Sequence, residues 1–190
     1  MKTFQLEGTP RTEIGKKAAK AIRKEDMIPA VIYGGESTIH FNVTKEAVRK
    51  LIYTPEIFVI DLTIGDKKTK AIIKDMQFQP VTDAVLHIDF LEVFDNKPIV
   101  MEVPVALEGF AEGVKAGGKL SLEMRKLKVK ALYNLIPEKL TINIDSLGLG
   151  KTLQVAALDF EGLEIMNAKN AVVCAVKLTR AARGAAAKGN

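Results

Sequence analysis

Tryptophan is missing from this 190-residue chain, cysteine occurs once and histidine only twice. Each scarcity excludes a class of function. A lone cysteine, Cys174, cannot close an internal disulfide, which agrees with a reducing compartment. His40, His87 and Cys174 share no close ligand spacing, so a zinc site would have to recruit carboxylates, and no metal or other cofactor is expected. No serine stands in a Gly-x-Ser-x-Gly elbow, and hydrolase chemistry lacks its nucleophile. The chain has no run of about 18 uncharged apolar residues. Its first residues, Met1-Lys2-Thr3-Phe4-Gln5-Leu6-Glu7, hold no apolar stretch of the kind that directs secretion. The expected location is the cytoplasm, away from any membrane.

What is present describes a folded protein, with 47% hydrophobic and 27% charged residues. The length admits one large domain or two of ordinary size, and the pattern favours two. The net charge of +5 is modest, but it is concentrated. Residues 1–24 carry Lys2, Arg11, Lys16, Lys17, Lys20, Arg23 and Lys24 against only Glu7 and Glu13. Residues 25–179 are nearly balanced, with 18 basic and 21 acidic side chains, and the tail from Arg180 adds three cations and no acid. Positive charge sits at the two ends of the chain.

Apolar periodicity predicts mostly strands. Phe4 and Leu6 alternate with polar neighbours until Gly8-Thr9-Pro10 is expected to stop the strand. Between Gly15 and Lys24, Ala18, Ala19 and Ile22 fall at helical spacing with the cations largely elsewhere, a short basic helix. Strands are expected over Met27–Gly35 and at Ile39, Phe41 and Val43, and Thr44 then caps a helix from Lys45 to about Ile52. Gly65-Asp66 between two β-rich runs predicts a two-residue hairpin turn, and Val85–Val93 supplies a further strand. The first half therefore reads as a β-sheet or barrel with two helices. Asp95-Asn96-Lys97-Pro98 marks a boundary, giving a first domain over 1–94 and a β-rich second domain over 95–179. In the latter, Leu127, Val129 and Ala131 alternate with Lys126, Lys128 and Lys130, a strand with one apolar and one cationic face. Residues 180–190 have no large apolar anchor and are expected to be a disordered basic tail. The fold class is mainly β with some α, an α+β protein.

Two motifs invite an enzymatic reading and neither supports it. Gly113-Val114-Lys115-Ala116-Gly117-Gly118-Lys119-Leu120 matches the start of a phosphate loop, but Leu120 stands where the magnesium-binding hydroxyl is required, and a strand pattern follows where a helix should. Gly150-Lys151-Thr152 fails in turn because Asp145 holds the first glycine position. Cys174, within Ala171–Val176, reads as a buried small apolar residue. His87 and Asp89 project from one face of a strand with Ile88 opposite; such a pair could do acid–base work, contact RNA, or sit satisfied at a sheet edge. Six cations between Arg11 and Lys24 would neutralise several phosphates if presented together, although charged helix faces commonly just meet water. Tyr33 and Phe78 could stack on bases or sugars, or belong to the core.

Particular motifs go further. Arg11-x3-Gly15-Lys16, Ala21-Ile22-Arg23, Ile28-Pro29-Ala30-Val31-Ile32-Tyr33-Gly34, Lys74-Asp75-Met76-Gln77-x2-Pro80 and Leu86-His87-Ile88-Asp89-Phe90 resemble the twenty-fifth protein of the bacterial large ribosomal subunit. Val103-Pro104-Val105, Gly109-x-Ala111-x-Gly113-Val114-Lys115-x-Gly117-Gly118 and Ile136-Pro137-x3-Thr141-Ile142-x-Ile144-Asp145 resemble the extra domain of its long, general-stress (Ctc) form. The resemblance implies a six-stranded N-terminal β-barrel with helices that binds 5S ribosomal RNA at its loop E region. It carries over contacts at Arg11, Lys16, Lys20, Arg23, Tyr33, Gln77, His87 and Asp89. One departure is Phe78-Gln79, where many members have basic or histidine residues.

The expected function is thus that of a non-enzymatic constituent of the large subunit, on the ribosome, with no small-molecule substrate. Its second domain could meet neighbouring ribosomal proteins, further ribosomal RNA or solvent. The alternative is a stress-regulatory interaction module in which the second domain does the main work and RNA affinity is incidental.

Overall fold

The structure is a computed structural model, and it describes residues 1–179; the tail expected to be disordered lies outside them. Thirteen strands and three short α-helices make up the described chain, so the fold is mainly β with few helices. It divides into two compact units, Met1–Ile99 with Leu132–Asn134, and Val100–Ala131 with the chain from Leu135 onward.

The first unit contains β1 (Lys2–Pro10), α1 (Lys16–Lys24), β2 (Met27–Tyr33), β3 (Ile39–Thr44), α2 (Lys45–Tyr53), β4 (Phe58–Ile64), β5 (Lys67–Phe78) and β6 (Val85–Glu92). The six strands form a closed barrel in the order β1-β3-β2-β6-β5-β4, completed where β4 runs parallel to β1. Closure leaves no unpaired sheet edge. Phe41 and Phe90, both fully buried with ring centroids 5.5 Å apart, lie in a core that also holds Leu6, Ile28, Ile60, Leu62 and Ile88.

The first strand does not stop at Gly8. It changes partner there: Lys2–Gly8 pair with β4, then Thr9 and Pro10 pair with Asn42 and Phe41 of β3. A Cβ on Gly8 would stand 2.5 Å from the Phe41 ring, so glycine lets the strand turn the barrel corner against an aromatic. The hairpin turn at Gly65-Asp66 forms as expected, with Gly65 at φ 58°. The Thr44 hydroxyl accepts from the Ala47 amide, as an N-cap should.

Simple alternation fails at two places on the β5–β6 pair. Ile73 pairs with Phe90 but Asp75 with Asp89, which makes Lys74 an extra residue on β5; Gln77 pairs with His87 but Phe78 with Val85, which makes Leu86 an extra residue on β6. The two bulges cancel, and between them the register is offset by one residue. This is why Val85 and Ile88 both enter the core although they are an odd number of positions, three, apart.

The second unit begins within β7 (Ile99–Glu108) and continues through α3 (Glu112–Lys115), β8 (Lys119–Leu122), β9 (Lys126–Ala131), β10 (Leu140–Asn143), β11 (Thr152–Gln154), β12 (Glu164–Ile165) and β13 (Val172–Lys177). It has a four-stranded sheet, β10-β7-β9-β12, and a three-stranded sheet, β11-β13-β8. Leu127, Val129 and Ala131 are buried as the alternation predicts. In the glycine loop the helical turn precedes the glycine pair rather than following it. A Cβ on Gly113 would lie 2.5 Å from the Leu149 backbone, so this glycine serves close packing of loop on loop.

Candidate nucleic-acid interface

Strand pleating decides which side chains share the outer face of the barrel. Residues directly opposite across a pair project together, so Gln77 stands beside His87 and Asp75 beside Asp89, while Asp89 faces Val31 on β2 and Val31 in turn faces His40 on β3. Tyr33, two residues along from Val31, joins the same face. Burial of its ring pushes the Tyr33 phenol above its ordinary pKa, reinforced by Asp89 and then Asp75. The hydroxyl is thereby kept as a proton donor. Four residues expected as contacts, Tyr33, Gln77, His87 and Asp89, are gathered here.

Within this group His87 Nδ1 and Asp89 Oδ1 are 2.6 Å apart, with both side chains partly exposed. The contact between ring and carboxylate orients the imidazole. Asp75 uses one oxygen to accept from the Met76 amide. The face therefore offers carboxylate acceptors at Asp75 and Asp89, a donor at Tyr33, the imidazole of His87, and at Gln77 an amide that can both donate and accept.

α1 borders this face through its contacts with β2. Ala18, Ala19 and Ile22 are half-buried, whereas Lys16, Lys17, Lys20 and Lys24 are exposed and pair with no carboxylate among the described residues. The first turn of the helix runs against its dipole, with two lysines, no acid and no side-chain cap, although Arg23 and Lys24 in the last turn agree with it. Cations at a helix N-terminus are unfavourable by some tenths of a kcal/mol each. α2, also nine residues long, keeps the rule at that end, with its threonine cap and Glu46 in the first turn. A local rule broken in one helix and kept in its neighbour marks the first as selected for something besides its own stability.

Arg11 continues from β1, its amide donating to the His40 carbonyl at 3.0 Å. Desolvation lowers its guanidinium below the usual pKa, and nearby Arg23 lowers it further. Among the described residues, the buried side-chain polar atoms without a hydrogen-bond partner are Arg11 Nε and Nη1, His40 Nδ1 and Asn42 Oδ1, all on this part of the barrel. Arg23 is differently employed. Its Nε and Nη2 both donate to the Leu86 carbonyl, at 3.0 and 2.9 Å.

Sequence reasoning passed over Asp75, His40 and Asn42. A one-residue register offset brings Asp75 beside Asp89, and only the pairing partner reveals it; the alternation of His40 and Asn42 with Phe41 and Val43 was the available signal for the other two. Phe78, 40% exposed, ends β5 opposite the core residue Val85 rather than beside His87. Cys174 is buried, and desolvation pushes its thiol pKa up, away from nucleophilic use.

Residues 6–90 match the model of the Ribosomal L25p family, and residues 98–180 match that of the ribosomal protein TL5 C-terminal domain. The chain is 72% identical to the large ribosomal subunit protein bL25 of Parabacteroides distasonis, with all of both chains covered. It is 71% identical to that of Porphyromonas gingivalis over 99% of each chain, and 62% identical to that of Bacteroides fragilis over 98% of each. With an unpaired cationic helix beside an acceptor-rich barrel face, and relatives alike from end to end, the chain belongs to the Ribosomal L25p family in the form that carries the TL5 C-terminal domain.

Proposed function

We propose that this chain is a structural, non-enzymatic constituent of the large ribosomal subunit, acting in the cytoplasm on the ribosome, and that its first unit binds 5S ribosomal RNA at the loop E region. The observation that carries the RNA reading is the division of labour on one surface: unpaired cations on α1 beside the outward group of Tyr33, Gln77, His87 and Asp89. Phosphates attract the first and are repelled by the carboxylates of the second. A duplex satisfies both when its backbone crosses α1 and its groove faces the sheet. Arg11, Lys16, Lys20 and the helix-end Arg23 supply the positive field, while Gln77, His87 and Asp89 meet 2′-hydroxyls and base edges across a wide RNA minor groove. The second unit makes protein contacts with neighbouring ribosomal proteins, in keeping with its balanced charge and its exposed Phe110, Leu135 and Met166. No cofactor or small-molecule substrate has a part in this function.

The test is the salt dependence of binding to isolated 5S ribosomal RNA. Each phosphate contact removed lowers the log–log slope by roughly 0.7 to 0.9, so a Lys16→Ala, Lys20→Ala variant should lose about 1.5. An unchanged slope, or no saturable binding by the wild type, overturns the reading.

A further inference from the structure

Arg23 sits where the two halves of the interface meet. It is the penultimate residue of α1, and both its hydrogen bonds go to Leu86, the extra residue of the β6 bulge and the immediate neighbour of His87. A bulge residue drops out of the strand ladder, and its carbonyl needs an outside donor. The two nitrogens along one edge of the guanidinium supply two donors to that single oxygen, a geometry fixed by the planar group. Without the bulge, β6 below His87 would revert to ordinary alternation, and a one-residue slip exchanges faces. Val85, now in the core, would turn outward, or His87 would turn in.

We propose that Arg23 is a positioning residue rather than a phosphate contact: by clamping the Leu86 carbonyl it holds the β6 bulge that turns His87 and Asp89 outward and fixes α1 at a set distance from them. The inference rests on the RNA reading above and sharpens it. Two of the three guanidinium nitrogens are engaged and the side chain is only partly exposed, in contrast to Lys16 and Lys20 on the same helix. The clamp also spans 63 residues of sequence, which makes it a tertiary tie and not a local cap.

Arg23→Lys distinguishes the two roles, since an ammonium serves a phosphate well but cannot reproduce the fork. For the full chain on isolated 5S ribosomal RNA, the affinity of Arg23→Lys should fall about tenfold with the salt slope unchanged. Most of that loss should vanish when His87→Ala is already present, because both changes remove the same contact. Wild-type affinity in Arg23→Lys, or losses that simply add, would overturn the proposal. Should the variant fold poorly by circular dichroism, the wild type supplies the answer through its Arg23 Nε–H resonance. That proton should be protected from exchange before RNA is added and shift little on binding; an exposed proton that becomes protected only with RNA would make Arg23 a phosphate contact. Failure of the wild type to bind at all would strike the RNA reading itself, a different result from either of these.

Discussion

Two segments of this chain look alike as strings of lysine, and folding gives them opposite characters. Lys16, Lys17, Lys20 and Lys24 on α1 face solvent with no carboxylate partner among the described residues. Lys128 and Lys130 on β9 are answered from the neighbouring strands, Lys128 by Glu102 of β7 at 3.7 Å and Lys130 by Glu164 of β12 at 3.1 Å. On β13, Lys177 is similarly held 2.7 Å from Glu123 of the adjacent β8 segment. A strand's cations can be neutralised by residues remote in sequence, because adjacent strands set side chains about 5 Å apart. A peripheral helix has fewer such neighbours. Exposed pairs of this kind contribute only about 0 to 1 kcal/mol to stability, but they cancel the local field, and a field is what an RNA backbone would sense.

The contrast is easiest to break by charge reversal. Lys16→Glu with Lys20→Glu should weaken 5S RNA binding about a hundredfold at moderate salt, while Lys128→Glu with Lys130→Glu should change it less than about twofold; fluorescence anisotropy titration of both variants decides. Equal losses would mean that β9 is also an RNA surface, and a loss confined to β9 would favour the second unit as the main working part. Next in size is the His87–Asp89 pair, proposed to face the groove: His87→Ala should cost about tenfold in affinity and leave the salt slope as it was, since no phosphate contact is removed. The same titration, repeated over a range of salt, checks this.

A smaller effect would come from uncovering the strand. Glu102→Gln with Glu164→Gln releases two lysines, and low-salt binding to an unrelated RNA duplex should rise by a few-fold, with a slope steeper by about 1. The least effect is expected at Glu123, whose carboxyl pKa is drawn below its usual value first by its hydrogen bond to Lys177, then by Ser121 and the charge of Lys177. Because the folded-state value is depressed, the pair's contribution is complete above the ordinary carboxylate range and disappears as pH falls through the lowered value. In Lys177→Ala the Glu123 carboxyl should titrate at a higher pH, read by carbon-detected NMR.

The cationic strand shows where sequence reasoning reaches and where it stops. The alternation of Leu127, Val129 and Ala131 with three lysines predicted β9 and its buried face, yet nothing in those residues announced Glu102 or Glu164. The same limit explains the rest. The Thr44 cap, the Gly65-Asp66 turn and the face shared by His87 and Asp89 depend on neighbours a few residues away, and they were legible. The β5–β6 bulges, the short strands β11 and β12, and the continuation of β1 through Pro10 depend on partner strands. Gly8-Thr9-Pro10 reads as a stop signal because local propensity cannot see Phe41 waiting at the barrel corner. Among the expected site residues, Lys16 and Lys20 stand exposed as a basic helix predicts, whereas Arg23 is committed to a carbonyl that only the fold supplies.

The closed barrel also imposes an order of events during synthesis. β1 is completed by pairing with β4, more than fifty residues later, and Arg23 meets Leu86 only after another 63 residues have been added beyond it. Pairing that distant in sequence is slow to form and comes late. The basic segment is therefore made before β6, so a nascent chain carries its cations ahead of the strand that bears His87 and Asp89. If the proposed RNA contacts are right, discrimination between one RNA and another has to wait for β6, and until then any attraction to nucleic acid is one of charge alone.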